Sequence, residues 1–141
     1  MKKVKISRPE EDFNRRCSYK IFIGDTIVEE LQNGESKIVE IPHGSDNEIL
    51  HGKIQWCGSN RILLTNLKDS DEILLSGNRF LNQKLPLMSA MILLLGVALF
   101  SGPSPALRIA GTILIAALLG GLLFTLTIWK DKWLLITDAY D

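Results

Sequence analysis

The chain has 141 residues, 16 basic and 16 acidic, so its formal net charge is zero. Interleaved charges of both signs exclude a strongly basic nucleic-acid binder, and two cysteines exclude a disulfide scaffold. Apolar residues make up 46%, an ordinary globular share, but the charge is unevenly spread: residues 85–129 hold only one, Arg108.

The first 80 residues read as short strands separated by turn residues. Val4 and Ile6 alternate with polar neighbours, and Pro9 to Arg16 is a charged loop or a single helical turn. Tyr19, Ile21 and Ile23 mark a second strand, Gly24-Asp25 a two-residue turn, and Thr26 to Leu31 the return strand. Asn33-Gly34 is the strongest hairpin signal in the chain and predicts pairing with Lys37 to Ile41. After a loop at residues 42–47, Ile49 to Cys57 alternates as one long strand, with Leu50, Ile54 and Trp56 on one face. Arg61 to Leu67 and Glu72 to Leu75 complete seven strands, with Lys68-Asp69-Ser70 as the turn between them. Strands this short cannot bury anything alone and must share a core. A small antiparallel β-sandwich over residues 1–80 is the expected fold, making the chain mainly β.

Residues 81–84 are a short juxtamembrane link. A bilayer span needs ~20 apolar residues. Residues 109–129 supply 21 without a charge and residues 85–102 supply 18. Gly102-Pro103-Ser104-Pro105 interrupts any helix, so residues 85–129 are expected to form a two-span hairpin. Arg79, Lys84, Trp129, Lys130, Lys132 and Trp133 lie at one end as membrane-interface residues, against Arg108 alone at the turn. The positive-inside rule then places both the N-terminal domain and the tail in the cytoplasm of a multi-pass membrane protein. Met1 to Arg8 lacks the apolar run of a cleavable leader. Thr112, Ala116 and Gly120, four residues apart, form a small-residue face expected to pack helices, against the first span or in a homo-oligomer. Neither span carries an acid, lysine or histidine, so a transporter or channel is not expected. The tail, residues 130–141, holds an apolar run that could lie at the membrane interface or extend a sheet edge.

The runs Tyr19 to Asp25, Leu31 to Glu35 and Ile41 to Gly44 resemble the PEGA-type β-domain, a pattern of strand, tight turn, return strand and a closing segment with glycine and histidine. Lys53 to Ser59 is similar to a strand of small bacterial membrane proteins that carry such a domain ahead of two spans. The resemblance covers about residues 18–60. It departs at Gly24-Asp25, where the family has Asp-Gly, and at Ser45-Asp46-Asn47. It implies a bacterial inner-membrane protein whose sandwich serves binding or surface organisation, with no catalytic motif.

Cys17, Cys57, His43 and His51 have the right inventory for zinc, but their wide spacing does not match structural zinc sites. No cysteine-hydrolase signature and no phosphate-cradling glycine loop appears. The acids Glu10, Glu11 and Asp12 read as solvated. The expectation is therefore a non-enzymatic, cofactor-free binding module that presents its sandwich to a protein or peptide partner, contacts membrane lipid, and does not bind nucleic acid. The alternative is a structural protein that oligomerises through its helices.

Overall fold

Alternation in the first strands sets up an inward and an outward face, and the inward residues decide the architecture. The computed structural model describes every residue except Met1, His43, Asp46, Trp56 and 139–141, and gives Asp138 through its backbone alone. The chain divides into two units, residues 1–78 with 131–141, and Arg79–Lys130.

The first unit contains β1 (Lys2–Ser7), β2 (Tyr19–Ile23), β3 (Thr26–Leu31), β4 (Ser36–Ile41), β5 (Ile49–Ile54), β6 (Cys57–Gly58), β7 (Ile62–Leu63), β8 (Glu72–Gly77) and β9 (Leu134–Asp138). One sheet has the order β4-β1-β8-β9; the other runs β3-β2-β5-β6, with β7 also on β5. Val4, Ile6, Val39, Ile41, Ile73 and Leu75 from the first sheet meet Tyr19, Ile21, Ile23, Leu31 and Leu50 from the second in one buried cluster. Gly52 allows the closest approach, since a Cβ there would lie 2.8 Å from the Leu75 side chain. The expected β-rich domain with one shared core is present, although across the whole chain helix and strand take similar shares.

Several local expectations are corrected. The sheets are not purely antiparallel, because β1 and β8 run parallel. Asn33-Gly34 does make a turn, with Gly34 at φ +74°, but β3 and β4 go to different sheets. The cause is Arg8, which occupies the corner. Its backbone N–H donates to the Glu35 carbonyl at 2.8 Å, the acceptor the Gln32 N–H would use in a two-residue hairpin, and its guanidinium donates to the Leu31 carbonyl at 3.3 Å. The strand expected from Ile49 to Cys57 ends at Ile54. Gln55 adopts φ +50°, and the chain folds back so that Ile54 faces Cys57 and Lys53 faces Gly58. The expected facing of Trp56 lies outside the described residues. The strand expected over Arg61 to Leu67 is only Ile62–Leu63, followed by a tight helical turn at Leu64–Asn66.

The tail makes its choice. β9 pairs antiparallel with β8 over Ile73↔Asp138 to Gly77↔Leu134, and buries Leu134 and Ile136 in the core. On its outer side the Asn60 side chain accepts from the Ile136 N–H at 2.7 Å and donates to its carbonyl at 3.0 Å. The β unit is thus built from both ends of the chain, and the helical unit is inserted between two neighbouring strands.

That second unit begins with a wide helical turn at Phe80–Lys84 and continues as α1 (Leu85–Phe100), then α2 (Pro105–Ile128). Both helices are long and apolar enough to cross a membrane, as spans Phe80–Phe100 and Pro105–Ile128. The bounds differ from those expected, 85–102 and 109–129, because capping and not charge sets them. Ser104 caps α2, its hydroxyl accepting from the Leu107 N–H at 3.3 Å, and Pro105 starts the helix where its missing N–H costs nothing. Arg108 therefore sits in the first turn of α2, where its Nε donates to the Gly102 carbonyl at 3.1 Å.

Candidate functional site

In the helical unit, α1 and α2 run antiparallel against each other. The less exposed residues recur at three and four, as Leu85, Ser89, Ile92, Gly96 and Leu99 on α1 and Gly111, Leu114, Leu118, Leu122 and Thr125 on α2. This is the spacing of a two-helix seam. Its tightest point joins Gly96 to Gly111: a Cβ on Gly111 would come within 2.6 Å of the Gly96 carbonyl oxygen. Farther from the turn an apolar groove of about 380 Å³ opens between the helices, lined by Met88, Ile92, Leu118, Gly121 and Thr125 among others. Thr112, Ala116 and Gly120 are exposed, and nothing lies within 4 Å of a Cβ built on Gly120. The helix-packing face within the hairpin is therefore the Gly96–Gly111 seam, and the expected small-residue face points away from α1. The hydroxyls of Thr112, Thr125 and Thr127 donate back to carbonyls of their own helix, so they present no unpaired donor to an apolar medium.

Arg79 and Lys84 lie before and at the start of α1, and Trp129 and Lys130 end α2, so the antiparallel pair gathers them at one end. Trp129 packs edge-on against Phe124, with centroids 6.2 Å apart. Lys132 and Trp133 belong to the β unit, where their carbonyls accept from Asn78. Arg108 is at the opposite end of the hairpin.

The β unit holds a polar cluster that the sequence reading missed. Arg8 is buried, 2% exposed, and Glu11 is 7% exposed. The Arg8 guanidinium donates to the carbonyls of Cys17 at 2.6 Å and Asn14 at 2.7 Å, lies 3.6 Å above the Tyr19 ring, and approaches Glu11 at 3.6 Å. Glu11 accepts from the Tyr19 hydroxyl and from the Gly77 N–H. Glu11 is thus not a solvated acid; it ties the 8–18 loop to the last residue of β8. One signal was available: Arg8 continues the inward phase of Val4 and Ile6.

Burial, and next the hydrogen bond to Glu11, raise the Tyr19 pKa above the ordinary 10.0. The unfolded chain ionises this tyrosine near that value and the folded protein does not. Its contribution to stability is therefore complete below about pH 10 and lost as pH rises above it. Tyr19→Phe should remove this alkaline loss. It should also lower stability at neutral pH by ~1–3 kcal/mol, because Glu11 loses a donor. Urea titrations at neutral and alkaline pH check both effects.

Of the four residues weighed as zinc ligands, three are described. His43 lies outside the described residues, Cys17 is half-buried in the 8–18 loop, and Cys57 is buried in β6. No group of three metal-binding side chains occurs among the described residues. Burial, with Asp131 adding to it, pushes the Cys57 thiol up to about 11. Thiols react as thiolates, so maleimide at neutral pH should label Cys17 and spare Cys57 until the protein unfolds, which peptide mass spectrometry reads directly.

His51 sits on the outer face of the second sheet and stacks on Phe22, with ring centroids 5.1 Å apart at 15°. Burial, then the charges of Lys53 and Arg61, lower its pKa, so the ring is neutral at pH 7. Beside it opens a polar hollow of about 310 Å³ lined by Gly24, Asp25, Asn47, Glu48, Ile49, His51, Lys53 and Arg61. His51 was expected on this face as a solvated residue; the hollow was not expected, because its residues come from three separate segments.

Comparison with family models, with curated proteins and with solved structures returned no match.

Proposed function

We propose that this protein is a non-enzymatic binding module, a β-sandwich anchored to the cell membrane by a two-span hairpin and presented on the cytoplasmic side to a protein or peptide partner. The observation that carries the reading is the insertion of α1 and α2 between the neighbouring strands β8 and β9. More than a dozen large apolar side chains on these helices are exposed, among them Leu94, Met91, Ile113 and Leu123 at 64–71%. Leaving each in water forgoes ~1.5–3 kcal/mol. The sum exceeds the ~5–15 kcal/mol that holds a domain folded, which favours lipid as their surroundings. Two spans return the chain to the side it left, as the β8–β9 pairing requires. Arg79, Lys84, Lys130 and Lys132 at that side, against Arg108 at the turn, favour the cytoplasm and contact with anionic lipid headgroups.

The partner is better served by a face than by a strand edge. The outer side of β9 is occupied by Asn60, and at the β3–β4 corner Lys37 donates to the Glu30 carbonyl at 2.8 Å. The outer face of the second sheet instead carries Ile27, Phe22 and His51 in one cross-strand row. The PEGA-type likeness of residues 18–60 agrees with such a role.

Topology is tested by placing a cysteine at Lys20, an exposed position on β2, in a chain with Cys17 and Cys57 replaced by alanine. Asn33 is unsuited, because its side-chain oxygen holds the Glu11 N–H at 2.9 Å. Protection from an impermeant maleimide until cells are lysed is the expected result. Labelling of intact cells would place the domain outside and overturn the reading. Partner recruitment is tested by affinity capture from solubilised membranes, with the outer-face variant Phe22→Glu expected to lose what the parent chain recovers.

A second reading is that copies associate through the exposed Thr112/Ala116/Gly120 face, where backbones can approach closely.

A further inference from the structure

The groove between α1 and α2 has bounds that select its occupant. On α2 it runs from Leu114 to Thr125, and on α1 from Ile92 back to Leu85. Toward the turn it stops short of Gly96 and Gly111, where the two backbones come together. From Leu114 to Thr125 the helix rises ~16 Å at ~1.5 Å per residue. Half of a ~30 Å hydrocarbon core is ~15 Å. In a membrane the groove therefore serves a single leaflet, the one on the side of Lys84 and Lys130.

Its width excludes a helix. A volume of about 380 Å³ spread over that length leaves a slot ~5 Å across, whereas an α-helix with its side chains is ~10–12 Å across. Carbon atoms in contact lie ~3.5–4 Å apart, so one hydrocarbon chain fits the slot. Met88, Ile92, Leu118 and Leu122 supply apolar walls, and Ala117 and Gly121 leave the room between them.

The open end of the groove is basic. Residues 79–130 carry Arg79, Lys84, Arg108 and Lys130 and no acid. Arg108 is at the turn, and the other three are at the groove's open end. The next acid along the chain is Asp131. It turns toward β6, its Oδ1 3.1 Å from where a Gly58 Cβ would be. Lys84 lies four residues before Met88, so the two share one face of the helix. Its long stem can carry the ammonium up to the headgroups. Phe124 lines the groove and packs on Trp129, and tryptophan favours that same level.

We infer that this groove holds one acyl chain of an anionic phospholipid, with the phosphate at Lys84 and the second chain left in the bilayer. A helix from a second copy is the competing occupant, but it would cross both leaflets. The inference rests on the membrane-anchor reading. Carbonate washing of membranes tests that reading separately. A chain released by the wash fails the anchor, and a chain that stays in the pellet without a bound lipid fails this inference alone.

The test uses the full chain in detergent micelles, titrated with phosphatidylglycerol and read by native mass spectrometry. One lipid retained per chain is expected. A Cβ on Gly121 meets nothing within 4 Å, so Gly121→Leu should fill the groove without parting the helices. It should weaken retention about tenfold, the effect of displacing about two buried methylenes. Ala117→Leu narrows the same groove and should act in the same direction. Gly120→Leu, outside the groove, should retain lipid as the parent does. Lys84→Gln should weaken phosphatidylglycerol about fivefold more than phosphatidylcholine. Spin labels at Leu95 and Ile113 should report the parental distance in the Gly121 and Ala117 variants. Equal retention by the parent and both groove-filling variants would place the lipid elsewhere and overturn the proposal. Equal affinity for the two lipids in the parent would overturn it too. A lipid-free dimer that Gly121→Leu dissociates would give the groove to a second copy and likewise overturn it.

Discussion

Deleting residues 131–141 should unfold the β unit, even though the deletion leaves residues 1–78 and both helices in place. β9 supplies Leu134 at 0% and Ile136 at 6% exposure to the shared core. Truncating one such side chain to alanine costs ~2–5 kcal/mol. Losing both, together with the ladder on β8, removes an amount comparable to the ~5–15 kcal/mol that stabilises a domain. Leu75 and Ile73 on β8 would then border solvent on the side β9 had covered. The measurement is limited proteolysis in detergent micelles. The parent β unit should resist cleavage, and the truncated one should be cut throughout residues 1–78 while the helices remain protected. A resistant truncated chain would show that β8 alone closes the core.

A graded series sharpens this expectation. Asn60→Ala removes both hydrogen bonds to Ile136 and should cost ~1–3 kcal/mol. Leu134→Ala should cost ~2–5 kcal/mol. The order of synthesis gives these numbers a further meaning. β9 follows α2 in the chain, so the core cannot close until both helices have been made. A membrane-inserted hairpin would thus be a precondition for the finished β unit.

What could be read in advance follows from where the information lies. β2 was legible through its clean alternation and β3 through the Gly24-Asp25 turn that returns the chain, and both signals are local. β1 was legible to Ser7, but the next inward position is Arg8, whose burial depends on the carbonyls of Asn14, Cys17 and Leu31 and on Glu11. No local pattern announces acceptors brought together from so many places. The same arginine explains why Asn33-Gly34 forms a turn without forming a hairpin. Gln55 offered no turn chemistry, and its left-handed backbone is imposed by Cys57 and Gly58 folding back on β5. The helices were legible by composition, and only their ends were misplaced, because absence of charge marks a span while Ser104 and Pro105 mark a helix. The polar hollow was invisible for a related reason: its acids and bases are adjacent across strands and not along the chain.

Gly111→Leu should drive α1 and α2 apart, and Gly120→Leu should not, although both enlarge a glycine on the same helix. At Gly111 the first added carbon would meet the Phe100 nitrogen at 2.5 Å and the Gly96 oxygen at 2.6 Å. Both are backbone atoms on α1, so no side-chain rotation relieves the overlap, and overpacking of this kind costs ~1–3 kcal/mol or more. At Gly120 the same carbon enters open space. Spin labels at Leu95 and Ile113, both exposed, read the consequence as an interhelical distance in lipid. That distance should lengthen in Gly111→Leu and stay at the parental value in Gly120→Leu. The second variant then isolates the outer face. Should copies associate through Thr112, Ala116 and Gly120, Gly120→Leu would abolish oligomers while leaving the hairpin intact, because its bulk would block close backbone approach. If both the distance and the assembly state stay unchanged, the small-residue face serves no contact, and the anchor consists of the Gly96–Gly111 seam alone.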